Sequence, residues 1–114
     1  MGFETVRKIG RKLPGAEEST CYGQPALKVR GKMFVCIASH RSAEPGSLVV
    51  RMSFDQRAAM LADDPHVYYL PDHYVEYPCL LVRLSRISRA ALGDLVLTAY
   101  RFVLAAPGTR KPIR

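Results

Sequence analysis

The sequence has no tryptophan, and none of its apolar runs approaches the roughly 20 residues that span a bilayer. Its N-terminus also lacks the apolar core of a signal peptide. We therefore expect a soluble, cytoplasmic protein without membrane contact. Cys21, Cys36 and Cys79 form no C-x-x-C pair and have no histidine at metal-ligand spacing. This pattern favours reduced, mostly buried thiols over a metal site.

Motifs for catalysis or cofactor binding are missing as well. The glycines are scattered, so the sequence contains no phosphate-cradling loop. His73 is a candidate general base, but no nucleophile or orienting partner accompanies it, and a histidine in a turn is more often a structural hydrogen-bonding group. The run Asp63-Asp64-Pro65 is typical of a helix stop. We therefore expect a non-enzymatic protein without cofactor or metal.

Positive charge is abundant and unevenly distributed. The net charge of +7 divides into +4 for residues 1–32, −3 for 33–82 and +6 for 83–114. Basic ends suit an anionic partner such as nucleic acid, although many basic surfaces are only solvated. With 48% apolar and 24% charged residues, the chain fits one globular domain over residues 1–106, followed by a basic tail over 107–114.

Hydrophobic periodicity and turn signals predict the element order α-β-β-β-α-β-β-α. The predicted helices cover 3–13, a short segment after a capping box at Ser53, and a segment that begins after Ser88 and ends near Pro107-Gly108. The predicted strands are 25–30, 33–39, 47–52, 67–70 and 79–84, and residues 16–23 read as an acidic turn. This order predicts a two-layer α+β fold, with an antiparallel five-stranded sheet and the helices on one face.

Strand alternation then turns basic side chains toward the face that the helices leave open. If the apolar residues of three strands point to the helices, four cations point away: Lys28, Arg30, Arg51 and Arg83. Two interpretations stay open. The cations either contact an anionic partner or cover an exposed sheet face with their long aliphatic stems.

A tyrosine-rich segment, 67–84, contains the last two predicted strands and the loop that joins them. Tyr68 or Tyr69 must point into the core, whereas Tyr74 and Tyr77 either brace the turn against its prolines or stack on a base. The turn at Arg30-Gly31-Lys32 places two cations beside a glycine, which suits contact with phosphates more than reading of bases.

Four segments together resemble the MmcQ/YjbR-like family of small bacterial proteins: FETVRKIGRKLPG, EESTCYGQPALKVRGKMF, SLVVRMSFDQRAAMLADDP and YYLPDHYVEYPCLLVRLSRIS. The resemblance extends to about Val103. It implies an α-β(3)-α-β(2)-α two-layer fold, similar to secretion-chaperone-like folds, and DNA binding through a double-wing arrangement.

These observations lead to a hypothesis of DNA binding by a monomer or weak homodimer. The predicted phosphate contacts are Lys28, Arg30, Lys32, Arg51, Arg83 and Arg86, with His73, Tyr74 and Tyr77 bordering the site. One alternative is a protein- or peptide-interaction module of unknown partner that uses the same open face. Another is a small-molecule pocket around the DHY segment.

Overall fold

In a computed structural model, which describes residues 1–106, a six-stranded antiparallel sheet carries three α-helices on one face. The strand order is β1-β2-β3-β4-β6-β5. The elements are α1 Phe3–Gly10, β1 Ala16–Cys21, β2 Gln24–Val29, β3 Lys32–Ile37, β4 Ser47–Arg51, α2 Phe54–Asp63, β5 Tyr68–Tyr69, β6 Cys79–Arg83 and α3 Arg89–Ala105, with a 3-10 turn at Asp72–Tyr74. The predicted two-layer α+β fold is confirmed. Helix α3 ends at Ala105, close to the end predicted near Pro107-Gly108, and the basic tail predicted at 107–114 lies outside the described residues.

The sheet has one strand more than expected, because residues 16–21 form β1 and not an acidic turn. This strand pairs along its whole length with β2 through a two-residue turn at Tyr22 and Gly23, whose φ angles are +53° and +80°. Two positive φ values are typical of the type I′ turn that suits a hairpin. Because β1 is an edge strand, its polar residues remain in water, and the apolar alternation that marks a half-buried strand is missing.

The predicted helix starts are confirmed by their hydrogen bonds. The backbone N–H of Gln56 donates to the Ser53 hydroxyl at 3.1 Å, and that of Ala91 donates to the Ser88 hydroxyl at 3.1 Å. Helix α1 ends at Gly10, where a Cβ would lie 2.5 Å from a Leu27 methyl carbon. Glycine therefore lets α1 pack directly against β2. None of the helices in residues 1–106 is both long and apolar enough to cross a membrane.

The main core lies between the sheet and the helices. One row of the ladder crosses four strands and consists of Leu27, Val35, Val50 and Leu80. A register shift in the β2–β3 pairing leaves Phe34 as the extra residue of a β-bulge, so that both Phe34 and Val35 are buried in this core. Side chains of α3 fill the other half of the layer: Leu92, Leu95, Val96, Ala99, Tyr100 and Val103.

The opposite face is partly covered, although we expected it to meet solvent or a partner. Its central ladder row is apolar: Ala26, Cys36, Val49 and Leu81. The connection from β5 to β6, residues 70–78, folds back over this row and places the Tyr74 ring on it. We call residues 70–78 the covering segment. The covering segment removes this apolar row from water, and the burial stabilises the folded protein.

Candidate nucleic-acid interface

The β2–β3 hairpin presents three cations around a tight turn. Arg30 and Gly31 form the turn with φ angles of +54° and +77°, so this is a second type I′ turn. In the register, Lys28 pairs with Met33 and faces the covered side of the sheet, whereas Lys32 pairs with Val29 and faces the helix side. Among the described residues, none of these cations has an acidic partner within 4.0 Å. The hairpin therefore carries cations on both faces, and on the covered side Glu17 of β1 lies opposite Lys28 in the register.

Arg51 lies at the same end of the sheet but is not displayed in the same way. Its side chain is half-buried, and its guanidinium lies 5.6 Å from the ring centroid of Phe102 in α3. One guanidinium N–H also points to the Met33 carbonyl at 3.5 Å, which is at the limit for a hydrogen bond. Arg51 therefore turns toward the helix layer.

Arg83 lies at the other end of the sheet, where β6 pairs with the start of β4. Its guanidinium donates to both carboxylate oxygens of Glu44, at 2.8 and 3.0 Å, and to the carbonyls of Pro65 and His66, at 3.3 and 3.2 Å. The cation also stands 4.2 Å from the ring centroid of Tyr69. Its side chain is only 17% exposed. Arg83 therefore connects β6 to the β3–β4 loop and to the α2–β5 loop through hydrogen bonds.

The ion pair also changes the acidity of Glu44. Hydrogen bonding from Arg83 lowers the pKa of the Glu44 carboxyl, and its partial desolvation opposes that shift. Arg86 lies near the same end of the sheet, where one N–H donates to the His66 carbonyl at 3.2 Å. Its side chain remains exposed. The sheet thus separates Arg83 and Arg86 from the hairpin cations by the length of its strands.

The covering segment is fastened to the β3–β4 loop by stacked histidines. The rings of His40 and His73 lie 3.6 Å apart and are 6° from parallel, and both meet the Tyr74 ring edge-on. Desolvation lowers the pKa of His40, and the nearby His73 and Arg41 lower it further by repelling a second positive charge. The stack is therefore most favourable with His40 neutral. His73 and His40 act in the structure as a pair of contacts between two loops.

Tyr74 and Tyr77 of the covering segment differ in their exposure. Tyr74 is 9% exposed and packs in the apolar cluster under the covering segment, so it braces this segment. Tyr77 is 56% exposed and leaves its ring accessible. The covering segment has a shallow, open depression on its solvent side, lined by Asp72, His73, Val75, Glu76 and Tyr77. This depression lies where the sequence suggested a small-molecule pocket around the DHY segment.

Two of the cysteines lie under the same cover. Cys36 and Cys79 are 6% and 2% exposed, whereas Cys21 is half-buried. Burial raises the pKa of the Cys36 thiol to about 12, with neighbouring Cys21 and Cys79 adding to the shift. Burial also raises the pKa of Cys79 to about 11. Mostly buried thiols agree with the sequence-based expectation. Across the described part of the chain, no three His, Cys, Asp or Glu side chains are grouped to hold a metal ion.

The nine predicted site residues therefore occupy three places and not one. Lys28, Arg30 and Lys32 share the hairpin, and Arg51 lies beside it. Arg83 and Arg86 lie at the far end, and the remaining three belong to the covering segment. Sequence reasoning missed His40, Glu44 and Tyr69, which orient His73 and Arg83. No sequence signal marks these partners, because they come from a polar loop and a short strand whose positions only the tertiary fold defines.

Known proteins share parts of this sequence and its fold. The family model described as YjbR matches residues 11–102. Two curated relatives are uncharacterized protein Rv2570 of Mycobacterium tuberculosis and uncharacterized protein Mb2600 of Mycobacterium bovis. Each is 40% identical over 42 residues, which is 37% of this chain and 33% of the relative. The chain thus matches about one third of the length of these relatives.

A solved structure shares the fold. The crystal structure of Deinococcus radiodurans protein DR2400, with a DUF419 domain, aligns with a TM-score of 0.75 over 96% of this chain and 83% of that one. The two sequences are 16% identical. At that identity the likeness concerns the fold alone.

Proposed function

Because this chain belongs to the YjbR family, we propose a function from the surface that its fold presents: the protein binds nucleic acid through the β2–β3 hairpin, without a catalytic step. The observation that carries the proposal is the set of three hairpin cations, Lys28, Arg30 and Lys32, on which no ion pair falls within residues 1–106. Such cations can pair with phosphates without first breaking an internal salt bridge.

The shape of the hairpin supports the same interpretation. The turn lies at one end of the sheet, where β1 borders β2 up to Val29, so Arg30 and Gly31 can approach a phosphate backbone from that end. Lys28 and Lys32 lie on opposite faces of the sheet beside this turn, so they can contact phosphates on either side of it. Arg30 and Gly31 at the tip allow close approach of the backbone. Contacts of this kind position a protein on the duplex without reading its sequence.

The geometry argues for a smaller contact set than the sequence predicted. Arg83 would have to release Glu44 and two carbonyl groups before it could bind a phosphate, and Arg51 is turned toward Phe102. Tyr74 is buried and cannot stack on a base unless the covering segment opens. The proposed interface therefore consists of the hairpin cations, and Arg86 belongs to a separate end of the sheet.

The test is fluorescence anisotropy with a labelled duplex DNA at several salt concentrations. The hairpin variant combines Lys28→Ala, Arg30→Asn and Lys32→Ala, because asparagine tolerates the positive φ of position 30. If each cation contacts one phosphate, the slope of log K against log salt becomes shallower by about 2.7 for the three.

A matched control removes the same charge elsewhere, through Lys8→Ala, Arg41→Ala and Arg89→Ala, all at exposed positions. We expect the control to keep the wild-type salt slope, with circular dichroism verifying that both variants are folded. The proposal is wrong if the wild-type protein shows no binding at low salt. It is equally wrong if the control and hairpin variants lose affinity to the same degree, since the charge would then act without regard to position.

A further inference from the structure

A groove runs between α2 and the first half of α3, on the helix side of the molecule. Helix α2 buries none of its residues between Phe54 and Asp63, although Met60 and Leu61 touch the main core. The groove is lined by Gln56, Ala59, Met60, Tyr68, Ala91, Asp94, Leu95 and Thr98. Its walls are therefore two helices, and Tyr68 of β5 closes its base.

The two walls follow helical spacing, which makes the groove a continuous strip. On α2 the lining positions are 56, 59 and 60, and on α3 they are 91, 94, 95 and 98, so each wall is one face of a helix. Most of these side chains are small or apolar. The strip is thus a mostly apolar groove, about two helix turns long on its α3 side and open to solvent along its length.

The one charged side chain among these lining residues is acidic, whereas Gln56 and Thr98 are neutral. Asp94 lines the groove, and Asp63 continues the α2 row at the next helical position. Within residues 1–106, neither carboxylate takes part in an ion pair. The pKa of Tyr68 is raised by burial and then by the charges of Asp64 and Asp63, as expected for a negative potential at the base of the groove.

We propose that the α2–α3 groove binds a basic amphipathic helix of a partner protein, which inserts apolar side chains between α2 and α3 and places lysine or arginine opposite Asp63 and Asp94. Charge complementarity selects this occupant. An acidic segment or a phosphate backbone would meet repulsion at both carboxylates. An apolar helix face laid in a groove is a recurring mode of peptide recognition, and it accounts for the uncovered face of α2. This surface is separate from the hairpin and does not depend on nucleic-acid binding.

The probe is a fluorescein-labelled helical peptide with leucine at helical spacing and lysine at the other positions, measured by anisotropy against the full chain. A matched peptide with glutamate in place of lysine tests the sign of the charge. Two pairs of variants test the position. Ala59→Arg fills the groove, and Ala58→Arg adds the same side chain to an adjacent exposed position outside the lining. Asp94→Asn removes a groove carboxylate, and Asp55→Asn removes an exposed one elsewhere on α2.

We expect the lysine peptide to bind and the glutamate peptide not to bind. Ala59→Arg should weaken binding by about tenfold or more, because it fills the groove and repels the peptide, whereas Ala58→Arg stays within about twofold of wild type. Asp94→Asn should weaken binding by about twofold to fivefold, the effect of losing one exposed ion pair, and Asp55→Asn should not. NMR shift changes are expected on the groove-lining residues.

Three results would overturn the proposal: no binding of the lysine peptide, equal losses for the two arginine variants, or shift changes outside the groove. Both arginine positions are exposed, so folding is expected to survive, and circular dichroism verifies it. Duplex DNA binding by Ala59→Arg provides an independent readout. A groove variant that loses the peptide but keeps DNA separates this surface from the hairpin.

Discussion

Tyr74 is the residue whose removal tests most directly whether the covering segment is structural. Its ring is 9% exposed and packs on the apolar cluster that includes Cys36, Val49 and Leu81. Truncating a buried aromatic residue to alanine costs about 3 to 5 kcal/mol. Because this ring lies under a surface segment that can partly collapse, we expect the lower limit, about 3 kcal/mol, for Tyr74→Ala. At about 4 °C per kcal/mol for a chain of this size, the melting temperature falls by about 12 °C.

The assay is urea unfolding followed by far-ultraviolet circular dichroism, since the protein has no tryptophan to report its fluorescence. Tyr77→Ala is the matched control, because its ring belongs to the same segment but is 56% exposed. We expect this control to change the free energy of unfolding by no more than about 0.5 kcal/mol. If the two alanine variants differ by less than about 1 kcal/mol, the covering segment does not stabilise the sheet in the way that its packing indicates.

Four further substitutions, one of them a matched control, test local features by unfolding or by NMR. Gly10→Ala should lower the free energy of unfolding by about 1 to 3 kcal/mol, because the added Cβ overlaps Leu27 of β2. Gly93→Ala, which has open space around it, should raise the free energy of unfolding by about 0.5 to 1 kcal/mol. Equal effects of the two substitutions would contradict the close packing of α1 against β2. Tyr22→Asn should stabilise by about 0.5 to 1 kcal/mol by relieving a left-handed conformation, and a loss of stability would mean that the exposed ring has contacts of its own. His73→Gln should raise the pKa of His40 toward its ordinary value in an NMR titration. Since the folded state lowers that pKa, the wild-type protein should lose stability as the pH falls below about 6.5, and an unchanged His40 pKa in the variant would rule out the coupling.

Apart from β1, the element order could be predicted, and so could the helix starts after Ser53 and Ser88, because local rules fix them. Ser53 with Gln56 three residues later is a capping box in the sequence, and the structure has both of its hydrogen bonds. The strand β1 escaped prediction for an equally physical reason. An edge strand with charged residues on it needs no apolar alternation, and its pairing depends on a turn that places Tyr22 in a conformation usually taken by glycine or asparagine.

The candidate site was less predictable, because the environment of each cation is a tertiary property. Arg83 was expected on an open face, yet its partner Glu44 is 39 residues away in the sequence, in a loop without a recognisable pattern. Alternation on β6 correctly indicates the side of the sheet from which Arg83 projects, but not what meets it there. The turn at Arg30 and Gly31 is the part of the site that the sequence predicted well, because its conformation depends on local residues.

Because the covering segment buries two thiols, the rates at which these thiols react can report how often the segment opens. The thiolate is the nucleophile that reacts with an alkylating reagent. A buried thiol with a pKa of about 11 or about 12 therefore reacts only when the covering segment moves away and exposes it to solvent. The modification rates of Cys36 and Cys79 therefore measure how often residues 70–78 lift from the sheet, while half-buried Cys21 supplies an internal reference. A ligand that fastens the segment slows the two buried thiols together, and one that binds the hairpin alone leaves their rates unchanged.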